Sequence, residues 1–207
     1  MSGSSAPRAR VISRRAAVAT FTTAALIGIA ADVVTKILAI QYLAPADPKP
    51  LLGWVLQLYL IRNPGAAFSI GAGFTPVFTV LAFLVLVGLL WFVVPKVRHR
   101  GWAIGLGLVV AGITGNLIDR LFRPPGFGRG HVVDMLMLPR WPIFNLADVC
   151  VVSGAILIML IWVVRGIAMD GTPEPGRDDK SGKTDKTDRT EEPSAAGADP
   201  EPGDPVR

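Results

Sequence analysis

Apolar residues in this chain fall into four long runs rather than alternating with polar ones. The first spans about residues 16–40 and is interrupted by Asp32, Thr35 and Lys36. The second covers about 74–94, closed by Pro95 and the basic stretch 96–100, and the third about 102–118. The fourth covers 144–164. A hydrocarbon core roughly 30 Å thick takes about 20 helical residues to cross, so the pattern predicts four transmembrane helices. The first reads as an uncleaved span and not as a signal peptide, because it is long, holds a charged pair and precedes three more spans. Between the first two runs, residues 51–70 are apolar, β-branched and aromatic, with a Pro64-Gly65 turn signal, which predicts a short sheet at the membrane surface. The fold class that follows is an all-α polytopic membrane protein with a small extracytoplasmic β-sheet.

Basic residues in the short flanks set the expected orientation. Residues 1–15 (with Arg8, Arg10, Arg14 and Arg15) form a basic N-terminal segment, and together with the 96–100 loop and Arg165 they face the cytoplasm. The longer loops, about 41–73 and 119–143, then face outward, although the second carries Arg120, Arg123, Arg129 and Arg140. Four spans return both ends to one side. Residues 16–165 make the membrane region, and 166–207 a cytoplasmic tail whose Pro, Gly, Ser, Thr and mixed charge predict disorder.

Composition sharpens this picture in one respect. The chain is 51% hydrophobic and 18% charged, and 11 of its 16 acidic residues lie from Asp170 onward. The first 169 residues therefore hold five acids, Asp32, Asp47, Asp119, Asp134 and Asp148, against 15 basic residues. Four of the five lie in or beside apolar segments, where burying a charge is costly. Cys150 has no cysteine to pair with and reads as a small residue at a helix interface.

Asp134 and Asp148 carry the chemical interest. Asp134 falls in the outer loop before the fourth span, and Asp148 one turn into that span, so both approach the same membrane face. Two carboxyls held together resist double ionisation, so one keeps a proton while the other activates water. A structural alternative stands beside this: Asn145 followed by Asp148 has the spacing of an N-cap with an acid three residues on, and Asp134 alone fits a solvated loop acid. Asn116, Asp119 and Arg120 share a helix face at the end of the third span. An ion pair or a snorkelling arginine is the structural account there, while Asn116 could donate to a substrate carbonyl and Arg120 could bind a lipid phosphate or orient a carboxylate. Asp32 and Lys36, four apart, form a self-neutralising pair with a packing role. Asn63 and Gly65 belong to a Pro-Gly turn that could let backbone approach a ligand, with an ordinary turn as the structural account. There is no His-Glu-x-x-His, no Gly-x-Ser-x-Gly, and His131 with Asp134 is too thin a set for a metal.

Five pieces, DVVTK in the first span, RNPGAAFS in the first outer loop, GNLIDR in the third span, VVD at 132–134 and FNLAD opening the fourth, occur in that order. Together they resemble the bacterial lipoprotein signal peptidases, the type II signal peptidases, over about residues 16–165. The resemblance implies an aspartic endopeptidase of the cell membrane. It would cut a prolipoprotein signal peptide just before a diacylglyceryl-modified cysteine, with no metal or organic cofactor and no nucleic-acid partner. It implies Asp134 and Asp148 as the catalytic pair, Asn63, Gly65, Asn116, Arg120 and Asn145 around the substrate, and Asp32, Lys36 and Asp119 in support. Its fold would be four transmembrane helices, a small extracytoplasmic sheet and a short surface helix, with membrane lipids as neighbours. Two other classes stay open: a small proton-coupled transporter using Asp32, Asp134 and Asp148 as a relay, and a scaffold whose polar residues only join helices. A relay should cross the bilayer, whereas these acids gather toward one side.

Overall fold

The computed structural model describes residues 11–65 and 72–173. Arg8, Arg10, residues 66–69 of the loop motif and the charged tail beyond Pro173 lie outside the described residues.

Among the described residues, four helical segments are long and apolar enough to cross a membrane: α1 (Arg14–Tyr42), the segment Thr75–Lys96 that opens with α2 (Thr75–Gly88), α3 (Arg100–Phe122) and α4 (Leu146–Arg165). Each begins and ends within a few residues of its apolar run. Ser13 caps α1 by accepting a hydrogen bond from Ala16 N at 3.2 Å. The second span continues past Gly88 as a π-helical turn, Leu89–Val93, and closes in a 3-10 turn, Val94–Lys96, that contains Pro95. Gly166, in the left-handed conformation at φ 57°, ends α4.

In lipid, helix association rests on close van der Waals fit rather than on hydrophobic burial, and α3 supplies that fit. It packs against α1, α2 and α4. More than half of its apolar window is buried (56%), against 6% of the second span, which leaves α2 facing outward over most of its surface. A Cβ on Gly154 of α4 would sit 2.5 Å from the Gly105 carbonyl oxygen of α3, so the two backbones approach where only glycine fits. Cys150 is buried at this packing layer, near Gly28 of α1, as the small interface residue expected of it.

A three-stranded antiparallel sheet covers one end of the bundle, with β1 (Lys49–Leu52), β2 (Leu56–Asn63) and β3 (Val132–Met137) in that order. The first two strands form a hairpin within the sheet region expected between the first two spans, but the chain turns at residues 53–55, and Pro64-Gly65 instead follows β2. The third was not legible: residues 132–137, read as loop, pair with β2 through Asn63↔Val132, Arg62↔Val133 and Ile61↔Asp134. On its other edge β3 meets Phe144, whose N–H donates to Leu136 O at 2.9 Å and whose carbonyl accepts from Leu136 N at 2.8 Å. At the opposite end of the bundle, Ile12 N donates to Arg98 O and Arg98 N to Met169 O. Both ends of the described chain therefore meet the α2–α3 link there, as an even number of spans requires.

Candidate active site

Backbone pairing is what assembles the polar cluster at the sheet end. Asn63 closes β2 two residues after Ile61, the partner of Asp134, so it shares Asp134's face of the sheet. Phe144, held against β3, delivers the next residue, Asn145, to the same point. The Asp134 carboxylate accepts from Asn145 Nδ2 at 2.7 Å and from Asn63 Nδ2 at 3.0 Å. It is 2% exposed, which overturns the solvated-loop account of this acid. Burial, helped by the charge of Asp148, pushes its pKa up to about 6, against the lowering effect of the two amide hydrogen bonds.

Asp148 stands in the first turn of α4 and is partly exposed. A full capping box is present: Asp148 N donates to Asn145 Oδ1 at 3.0 Å, and Asn145 N donates to Asp148 Oδ2 at 3.1 Å. The other carboxylate oxygen accepts from Asn116 Nδ2 at 2.8 Å. The helix-cap reading and a shared site are thus the same object. Asn145, fully buried, caps α4 with its oxygen and holds Asp134 with its nitrogen.

Behind this pair lies a charged layer. Lys36, 1% exposed, directs its ammonium at Asp32 Oδ2 (2.8 Å), Asp119 Oδ2 (2.9 Å) and Asn116 Oδ1 (3.0 Å). Asp32 also accepts from Ala147 N at 2.9 Å, tying α1 to the start of α4. Asp119 accepts from Val133 N at 3.1 Å, tying α3 to β3, and its other oxygen pairs with Arg123. The two acids and two bases neutralise one another, and each carboxylate also takes a backbone N–H, which is what makes such a buried cluster tolerable. A Cβ at Gly115 would overlap the Asp32 carboxylate, so glycine is required there.

Arg120 lies at the edge, donating to Gly65 O at 3.2 Å and to Asn116 O at 3.4 Å, and so fastens the turn after β2 to α3. Gly65 N in turn donates to Asn63 Oδ1 at 3.0 Å, which points the Asn63 amide nitrogen at Asp134. The Asn116 amide nitrogen, expected to serve a substrate carbonyl, gives one of its two N–H groups to Asp148. Arg123 was missed as a member of this cluster, although its position four residues after Asp119 was the available signal. Thr75, also missed, donates to Pro64 O and holds the same turn against α2; nothing in its local sequence marks that.

Two apolar cavities flank the cluster. One, of about 300 Å³, lies between α2, α3 and α4 and has Asn116 and Arg120 in its wall with Phe78, Val85 and Val151. The other, of about 400 Å³, lies between α1 and the sheet and is lined by residues including Ala39, Leu58, Met135 and Leu146. A proton relay across the bundle would need titratable groups along its length, whereas Asp32, Asp119, Asp134 and Asp148 gather at the sheet end.

A family model described as signal peptidase (SPase) II matches residues 24–164, the stretch that holds every residue of this cluster. The chain belongs to the signal peptidase II family. Proteins named lipoprotein signal peptidase are similar over most of this chain. That of Mycobacterium avium is 47% identical over 135 residues, 65% of this chain and 74% of its own length. That of Mycolicibacterium smegmatis is 44% identical over 158 residues, 75% and 66% of the two chains. That of Leifsonia xyli is 45% identical over 152 residues, 73% and 68%. A solved bacterial membrane enzyme superposes with a TM-score of 0.64 at 27% identity, covering 72% of this chain and 90% of the other. As a signal peptidase II family member this chain is a multi-pass membrane peptidase, and nothing in its fold or its relatives supports a transporter.

Proposed function

We propose that this family member is an aspartic endopeptidase that removes the signal peptide from prolipoproteins by hydrolysing the bond before a diacylglyceryl-modified cysteine. Asp134 and Asp148 are its catalytic pair. The observation that carries the reading is Asn145, which binds both carboxyls in a chain otherwise almost free of acids in its membrane region. Asp134 is the deeper acid, and its burial, which raises its pKa to about 6, supports giving it the proton of the pair. Asp148, partly exposed, is the base.

In the forward step Asp148 takes a proton from water as the water oxygen bonds to the scissile carbonyl carbon. Asp134 gives its proton to the carbonyl oxygen, forming a neutral gem-diol. Asp148 then protonates the departing cysteine nitrogen, the C–N bond breaks, and a gem-diol hydroxyl returns its proton to Asp134. The products are a signal peptide with a new carboxyl end and a lipidated cysteine with a free amine. Neither metal nor organic cofactor enters the scheme. The site lies at the extracytoplasmic face of the cell membrane with both chain ends cytoplasmic, in keeping with the basic flanks at the end away from the sheet. A lipid-anchored substrate presents its scissile bond at that depth, which is why the acids stand at the helix mouths.

The test is cleavage of a diacylglyceryl-modified prolipoprotein by the purified protein, beside Asp134→Asn and Asp148→Asn checked for folding. Loss of roughly 10²–10⁴-fold or more in each variant is expected. Retained cutting by either variant removes that residue from the chemistry.

A further inference from the structure

Lys36 stands one layer away from both carboxyls of the pair, yet its ammonium reaches one of them through a single side chain. An ammonium donates and never accepts, so the Asn116 amide must turn its oxygen toward Lys36. Asn145 Nδ2 donates to that same oxygen at 3.0 Å. With the oxygen committed twice, the Asn116 nitrogen has one direction left, toward Asp148 Oδ1 at 2.8 Å. An amide rotated by half a turn would set oxygen against the Asp148 carboxylate and nitrogen against the Lys36 ammonium, which is repulsive on both sides. We infer that Lys36 is a positioning residue for the proposed reaction: acting through Asn116, it holds an N–H donor on Asp148 and so fixes the orientation of the base.

The surroundings are built for that task. The ammonium is ion-paired with Asp32 and Asp119 and donates its hydrogen bond to Asn116 Oδ1. Those two acids are anchored by Ala147 N and Val133 N, the chain neighbours of the Asn145-to-Asp148 turn and of Asp134. Lys36 is therefore referenced to the same backbone segments as the two carboxyls it serves. The inference rests on the peptidase reading above, and wild-type cleavage abolished in Asp148→Asn is the control that tests that reading separately.

The experiment must separate positioning from charge balance. Asp32→Asn combined with Lys36→Met removes one charge of each sign. Asp32→Asn combined with Lys36→Gln has the same net charge but restores an N–H donor toward Asn116. Both are compared with wild type by thermal unfolding in detergent and by kcat and KM on the lipidated substrate. The expected result is a melting temperature close to wild type in both, kcat down roughly 10²-fold in the Met pair at unchanged KM, and at least about ten-fold of it recovered in the Gln pair. Equal kcat in the two pairs, or wild-type kcat in the Met pair, overturns the inference. Should neither pair fold, Asn116→Asp decides: it still accepts from Lys36 but offers Asp148 no donor. Folded Asn116→Asp protein that cuts at the wild-type rate overturns the inference, and loss of kcat at unchanged KM upholds it.

Discussion

Asn145 has two separable duties, and Asn145→Ser should part them. Its oxygen caps α4 by accepting from Asp148 N, and serine is an equally good N-cap. Its amide nitrogen, which serine lacks, donates to Asp134 Oδ1 and Asn116 Oδ1. Both acceptors are buried or half-buried, and a buried group left without its partner costs about 1–3 kcal/mol. Two such losses put Asn145→Ser at roughly 2–6 kcal/mol of destabilisation, with Asn116 retaining Lys36 and drawing the figure toward the lower end. Asn145→Ala loses the same two bonds and the cap as well, so it should lie a further ~1 kcal/mol below serine. Activity should fall by roughly 10²-fold in both, because Asp134 loses the contact that fixes it relative to Asp148. The assays are thermal unfolding in detergent micelles and cleavage of a lipidated prolipoprotein, each for the three proteins. If Asn145→Ser matches wild type in both while Asn145→Ala does not, the residue is a helix cap and nothing more.

Three other outcomes are expected. Burial raises the Asp134 pKa to about 6, above the usual carboxylate value, so its proton is held below that pH and lost above it. A reaction that needs one proton on the pair should therefore lose kcat/KM as pH rises through about 6, and a profile flat from about 5 to 8 would contradict the assignment. Gly115→Ala places a methyl on the Asp32 carboxylate at the packed junction of α1, α3 and α4. It should destabilise by about 1–3 kcal/mol, which unfolding of the purified variant would show. Truncation after Pro173 should leave catalysis intact, since Ile167 and Pro173 pair with each other, Met169 pairs with Arg98, and the site is built from residues between Asp32 and Asp148. A large loss of cleavage in the truncated protein would be the contrary result.

The polar residues of the site were visible in the sequence one at a time because each is anomalous where it stands. An Asp or Asn in a run of valines and leucines is costly, and the five motif pieces mark all of them except Arg123 and Thr75. What remained ambiguous was partnership. Asp148 read equally as cap and catalyst since both readings use the same spacing from Asn145, and the structure shows one asparagine serving both. Asp134 read as a loop acid because VVDMLM pairs with a strand some seventy residues earlier, and a six-residue apolar stretch carries no sign of such a partner.

The four spans were determined by the sequence alone, because a bilayer sets helix length and apolarity locally, run by run. The N-cap of α4 and the presence of a sheet between the first two spans were legible for the same reason, that their signals lie within a few residues, although the position of the hairpin turn was not. The third strand, the burial of Asp134, the direction of each asparagine amide and the reach of Lys36 to Asn116 were decided by the tertiary structure. These depend on donors and acceptors brought from different elements, and an amide or an ammonium has no preferred direction until its partners are in place.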